Sequence, residues 1–216
     1  MPARVCPVCG TPAAVPFRVP RARATPDLDL RPGEPARSTL GRWLSVCPGC
    51  GAVAPDLATL PAAATTVVAS EAYQKLAAPV PASLPFLRWA MLCPARERRE
   101  AWLHAAWAAD DAHAATVAAG LRRQAAAHWG QPENAESALR LIDVLRRAGE
   151  FELARVRALA LDSDALDATA ARILEFQRQH IAAADTRRYR LSQAVPGLGG
   201  DEKHRGWLAR LLGRRP

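Results

Sequence analysis

Two copies of one five-residue pattern constrain this chain more than any other feature: Cys6-Pro7-Val8-Cys9-Gly10 and Cys47-Pro48-Gly49-Cys50-Gly51. Two residues between cysteines let a tight turn aim both sulfurs at one point. The proline restricts that turn, and the following glycine tolerates the positive φ such turns often need. Each copy supplies half of a tetrahedron, so Cys6, Cys9, Cys47 and Cys50 are expected to bind one metal ion jointly. The expected ion is a structural Zn²⁺; iron in a rubredoxin-like site would use the same ligands. Four sulfurs close the coordination sphere and leave no position for water or substrate, so the metal should act in folding and not in catalysis. The redox alternative needs a single CxxC pair on a βαβ scaffold, which this sequence lacks.

The 37 residues between Cys9 and Cys47 exceed the common ribbon spacing, so ordered structure must bring the two knuckles together. Short strands at 15–19 and 42–46 are expected to do this, with Trp43 packed near the site and residues 20–37, rich in Pro, Arg and Asp, looping out.

Beyond Pro61 the character changes. Apolar residues recur at helical spacing between proline and glycine breaks, predicting helices over 68–78, 84–92, 95–109, 114–129, 133–148, 150–161 and 165–189. Abundant alanine with few aromatics other than six tryptophans suits closely packed helices better than a β-sandwich. At 216 residues, half of them hydrophobic, the chain can bury one sizeable core plus a smaller accessory domain. The fold class is therefore mainly α, with a small N-terminal β zinc ribbon over 1–60, a helical-hairpin domain over 61–196 and a basic amphipathic tail over 197–216.

Two helix pairs share a pattern: Trp102, Leu103, Ala106 and Trp107 precede Leu121 and Ala125, and Leu141, Ile142 and Leu145 precede Phe151 and Ala154. The stretch 138–162, ALRLIDVLRRAGEFELARVRALALD, resembles a tetratricopeptide repeat (TPR), with small residues at close helix contacts. A stack of such hairpins presents a groove to a protein partner. Taken together, CPVCG, WLSVCPGCG, the FLRWA and AWLHAAWAADD segments and LRRAGEFELA resemble the bacterial proteins grouped as domain of unknown function 2225. That resemblance, over about residues 5–190, implies two CPxCG knuckles joined to a TPR-like helical tail, and it brings no established activity with it. The chain departs from the family at Ala52, where an aromatic is usual, and in an inter-knuckle loop that is less polar and poorer in tyrosine.

The net charge of +8 invites a nucleic-acid reading, but it is spread thinly. Residues 1–60 carry +3, which a four-thiolate Zn²⁺ site brings close to neutral; 61–196 carry +2 and the last 20 residues +3. No single segment reads as a strong basic patch. The N-terminus lacks an apolar run after its charge, and paired CxxC units without a signal peptide point to a reducing compartment, so a cytoplasmic location is expected.

No catalytic residue stands out. Cys93 is a lone thiol suited to packing, and the five histidines are scattered. Asp110-Asp111 point about 100° apart on a helix, and Asp162, Asp164 and Asp167 read as helix caps and not as a calcium loop. In the tail, Trp207, Leu208, Leu211 and Leu212 share a face ringed by Arg205, Arg210, Arg214 and Arg215; docking on the core or a partner, anchoring at an anionic membrane, and disorder all stay open. The expected function is a non-enzymatic zinc-binding scaffold or adaptor with a protein partner and no small-molecule substrate. The alternative is nucleic-acid binding through Arg18, Arg21, Arg23, Arg31, Arg37 and Arg42 of the inter-knuckle region, and the third reading is an enzyme whose site lies in the helical domain.

Overall fold

The computed structural model describes residues 4–198 and is mainly helical. The amphipathic tail lies outside the described residues. Chain compactness defines two units, one of Met1–Pro20 with Ser38–His128 and the other of Arg21–Arg37 with Trp129–Pro216. The expected boundary near residue 60 falls inside the first unit, because the core beneath the knuckles continues into the helices that follow it.

In the first unit a two-stranded antiparallel sheet, β1 (Ser45–Val46) and β2 (Val53–Ala54), flanks the second knuckle, with Ser45 opposite Ala54 and Val46 opposite Val53. The first knuckle is flanked only by the bridge between Val5 and Pro12. Residues 15–19 form no strand, and of 42–46 only the last two do. The reason is local: each knuckle is closed by its own short hairpin, so no longer strand pair is needed.

Helices α1 (Ala64–Ala69) and α2 (Glu71–Gln74) replace the single helix expected over 68–78. Ser70 breaks the run by adopting an extended conformation and capping α2 through the Tyr73 N–H. Next come α3 (Leu84–Leu92), α4 (Ala95–Asp111) and α5 (Ala115–Ala127). The buried residues of α4 are Ala101, Ala105, Ala106, Ala108 and Ala109 with Leu103 and Trp107, so it is enclosed on all sides over 105–109, and the small residues let α3 and α5 approach closely. Trp43 packs edge-on against His104 and Trp107, not within the core beneath the knuckles.

In the second unit α6 (Ala135–Arg147), α7 (Phe151–Leu159) and α8 (Ala168–Ala182) pack on one another, and α9 (Leu191–Ala194) lies against α8. Gly149, at φ +77°, closes α6 with the Glu150 N–H on the Leu145 carbonyl, the backbone reversal for which glycine is favoured. The α8 helix stops at Ala182, well short of the expected residue 189. The buried Arg146 guanidinium donates to the carbonyls of Asp185 and Arg187, and the Leu28 N–H donates to that of Tyr189, so tertiary partners satisfy this backbone in place of a further helical turn.

Nor do residues 20–37 loop out. Asp27, Leu28, Asp29 and Arg31 are buried within the second unit. The Asp29 carboxylate receives Arg147 Nη1 at 2.7 Å and the Arg31 N–H at 3.2 Å, while its carbonyl accepts from Arg140 at 2.8 Å. Burial raises the pKa of Asp27, against the opposing effect of the Arg37 guanidinium 2.8 Å away. Among the described residues, no helix is long and apolar enough to cross a membrane.

Candidate metal centre

The two knuckles fold as near copies. In the first, the Cys6 N–H donates to the Thr11 carbonyl and the Gly10 N–H to the Cys6 carbonyl, both at 2.8 Å. In the second, the Cys47 N–H donates to the Ala52 carbonyl at 2.8 Å and the Gly51 N–H to the Cys47 carbonyl at 2.9 Å. Gly10 and Gly51 take φ of +74° and +72°, the left-handed conformation that their place in the motif predicts.

This geometry brings all four expected ligands together, their sulfurs within 4.8 Å of one another. The contacts cross between knuckles: Cys6 Sγ lies 3.8 Å from Cys50 Sγ, and Cys9 Sγ lies 3.5 Å from Cys47 Sγ. Disulfide sulfurs would sit about 2.05 Å apart, so these are not bonds. A tetrahedral ion with metal–sulfur distances of about 2.3 Å requires sulfur–sulfur edges of about 3.8 Å, which this cluster approaches with little adjustment. The four cysteines thus form a donor set that can hold a metal ion, with Cys6 and Cys47 buried, Cys50 half-buried and Cys9 exposed.

Backbone N–H groups turn toward the sulfurs: Val8 and Cys9 toward Cys6, Thr11 toward Cys9, and Ala52 toward Cys50. Such donors stabilise thiolate charge without neutralising it. The Thr11 hydroxyl, 3.2 Å from Cys9 Sγ, is the main cause that draws the Cys9 thiol down to about 6, with the Thr11 backbone assisting. Burial pushes Cys50 up to about 12 and also raises Cys6.

These opposed shifts set a pH dependence. Near neutrality the metal-free site holds Cys9 mainly as thiolate, while Cys6 and Cys50 keep protons that an ion must displace. Metal affinity is therefore expected to rise with pH through the neutral range, with at least two protons released per ion. Below about pH 6 a further proton competes at Cys9. Unbuffered titration with a pH electrode counts the protons, and a pH-independent affinity would contradict the assignment.

Gly49 is the residue that lets the knuckles meet. A Cβ built there would lie 2.3 Å from Thr11 Oγ1 and 3.2 Å from Cys9 Sγ. Turning the threonine aside would remove its hydrogen bond to Cys9 and still leave its Cβ 3.3 Å away. Gly49→Ala is expected to weaken metal binding about 10–100-fold, the range for groups that orient metal ligands, as measured by competition with a chromogenic chelator.

Beneath the site, Cys6 and Cys47 share a core with Ala52, Ala54, Leu57, Leu60, Ala64, Val68, Tyr73 and Leu92. The Tyr73 hydroxyl donates to the Gly51 carbonyl at 2.9 Å, and burial pushes that phenol up to about 12, so it remains a donor. The centre is therefore built into the helical unit through α1, α2 and α3. Sequence reading missed Tyr73; its isolation from any motif left no signal.

No protein family, curated protein or solved structure matches the chain. The other residues singled out from the sequence have structural roles. Cys93 is buried against Ala90 and Ala101, and burial pushes its thiol up to about 11. Asp110 forms a two-pronged ion pair with the buried Arg122, at 3.1 and 2.6 Å. Asp162 and Asp167 cap the N–H groups of Asp164 and of Thr169 and Ala170. Of the inter-knuckle arginines, Arg31 is buried, Arg37 pairs with Asp27, and Arg42 lies over the Phe17 ring.

Proposed function

We propose that this chain is a non-enzymatic zinc-dependent scaffold or adaptor that engages a protein partner through its helical part. The observation that carries this reading is the closed four-sulfur set sharing one core with three helices, an arrangement that fits an ion serving architecture. Zinc is the ion that such a tetrathiolate set suits best. The partner surface we assign is α7, where Leu153, Val156 and Leu159 stand exposed at three-residue intervals. Their spacing sets them along one side of α7, in a hairpin with α6 that we read as TPR-like.

Elemental analysis of purified protein should return one zinc per chain and no iron. Affinity purification should then recover a specific protein with the wild-type chain and lose it with Val156→Glu/Leu159→Glu, at unchanged metal content. Turnover of a substrate by the purified protein, or recovery unaffected by these substitutions, would count against the proposal.

A further inference from the structure

An arginine face emerges in the second unit where two remote segments pair. The Leu28 N–H donates to the Tyr189 carbonyl and the Leu191 N–H to the Pro26 carbonyl, each at 2.9 Å, and Thr25 Oγ1 meets Ser192 Oγ at 3.0 Å. Asp27 and Arg190 form the antiparallel bridge at the centre. The second segment carries exposed Arg187, Arg188 and Arg190 at the bridge, and the first carries exposed Arg23 and Arg21, four and six residues before Asp27 and beyond the paired stretch.

The Tyr189 ring packs on Phe176 and His180, at centroid distances of 5.2 and 4.2 Å. Side chains alternate along extended backbone, so Arg188 and Arg190 project to the opposite side. At about 3.4 Å per residue they stand about 7 Å apart, comparable to successive phosphates on an extended nucleic-acid strand.

The nearby acids do little to cancel this charge. Asp27 and Asp29 are buried and held by Arg37 and Arg147. Asp185 is engaged by Arg187, Tyr189 and His180, and exposed Glu34 lies beside the Arg23 backbone. Among the described residues no carboxylate pairs with Arg21, Arg23 or Arg190, and Arg188 approaches only Asp27, at 3.9 Å. Among the described residues the one exposed large hydrophobic residue close in sequence to these arginines is Val19, two residues before Arg21, too little apolar surface for insertion into a bilayer. Charge without apolar insertion favours a nucleic-acid backbone over a membrane surface.

We infer that the face formed by Arg21, Arg23, Arg188 and Arg190 binds the phosphate backbone of single-stranded nucleic acid without sequence preference. It is a different surface from the α7 strip, and it stands or falls independently of the scaffold reading.

The test uses the full metal-loaded chain and fluorescence anisotropy of labelled oligouridine and oligodeoxythymidine across a salt series. Four phosphate contacts predict a salt slope of about −3 in log K against log[salt]. Arg188→Gln/Arg190→Gln should weaken binding at least about tenfold and reduce the slope by about 1.4, and Arg21→Gln/Arg23→Gln should act alike. Arg18→Gln/Arg42→Gln, and a chain with Lys203, Arg205, Arg210, Arg214 and Arg215 changed to Gln, should retain binding. Unchanged metal content and circular dichroism establish that each variant is folded. The inference is overturned by an absence of binding at low salt, by binding that persists in both face variants, by loss confined to the tail or Arg18/Arg42 variants, or by binding to phosphatidylglycerol vesicles with none to either oligonucleotide.

Discussion

Cys47→Ser is expected to abolish stoichiometric metal binding and to lower the melting temperature by about 10 °C or more. The size follows from coupling: structural zinc contributes on the order of 10–16 kcal/mol in small peptide modules, and a chain of this size loses about 2–4 °C per kcal/mol. Even partial loss of that coupling therefore gives the stated shift. Cys47 is 2% exposed and belongs to the core that joins the knuckles to α1, α2 and α3, so the damage should spread beyond the knuckle itself. Hydrogen exchange should show faster exchange over 45–92 with the second unit little affected. Chelation of the wild-type protein should reproduce the pattern, and re-added zinc should reverse it. A variant that loses its metal but melts like the wild type would show the ion to be peripheral to folding.

Arg147→Ala is expected to destabilise the second unit by up to about 3–5 kcal/mol, because it removes a counter-charge from the Asp29 carboxylate in a site where that residue is 0% exposed. The pair lies 2.7 Å apart, with Arg147 Nη1 donating to Asp29 Oδ2. Removing both charges should cost less than removing one, since the penalty comes mainly from a buried charge that has lost its counter-ion and not from the loss of attraction. Urea denaturation of Arg147→Met, Asp29→Leu and the double variant closes the cycle. Additive single effects would contradict the buried pair, whereas a double variant close to the wild type would establish it.

The four-cysteine cluster was legible because its information is local. A C-P-x-C-G repeat encodes the turn, the ligands and the positive-φ glycine within five residues, and Gly10 and Gly51 adopt that conformation. Helices with clear breaks were equally readable. The helix over 84–92 matches α3, and Pro94 and Gly149 are among the proline and glycine breaks at which helices start or stop. Misplaced ends such as that of α8 share one cause: distant side chains, Arg146 foremost, supply hydrogen bonds that compete with helix continuation.

Residues 21–37 mark the limit of such reading. Proline, arginine and aspartate in one stretch describe a solvated loop by composition, yet Asp27, Asp29 and Arg31 are buried. Arg140 and Arg147, which hold Asp29, lie more than a hundred residues away, and no local pattern announces such pairing. The same holds for the arginine face, which exists only because residues 26–28 run beside 189–191. Sequence alone determined the four-cysteine cluster and most helices, since turn geometry and apolar periodicity act over a few residues. Tertiary structure decided where the inter-knuckle segment goes and which arginines share a surface, because burying charge depends on partners that only the folded chain brings within reach.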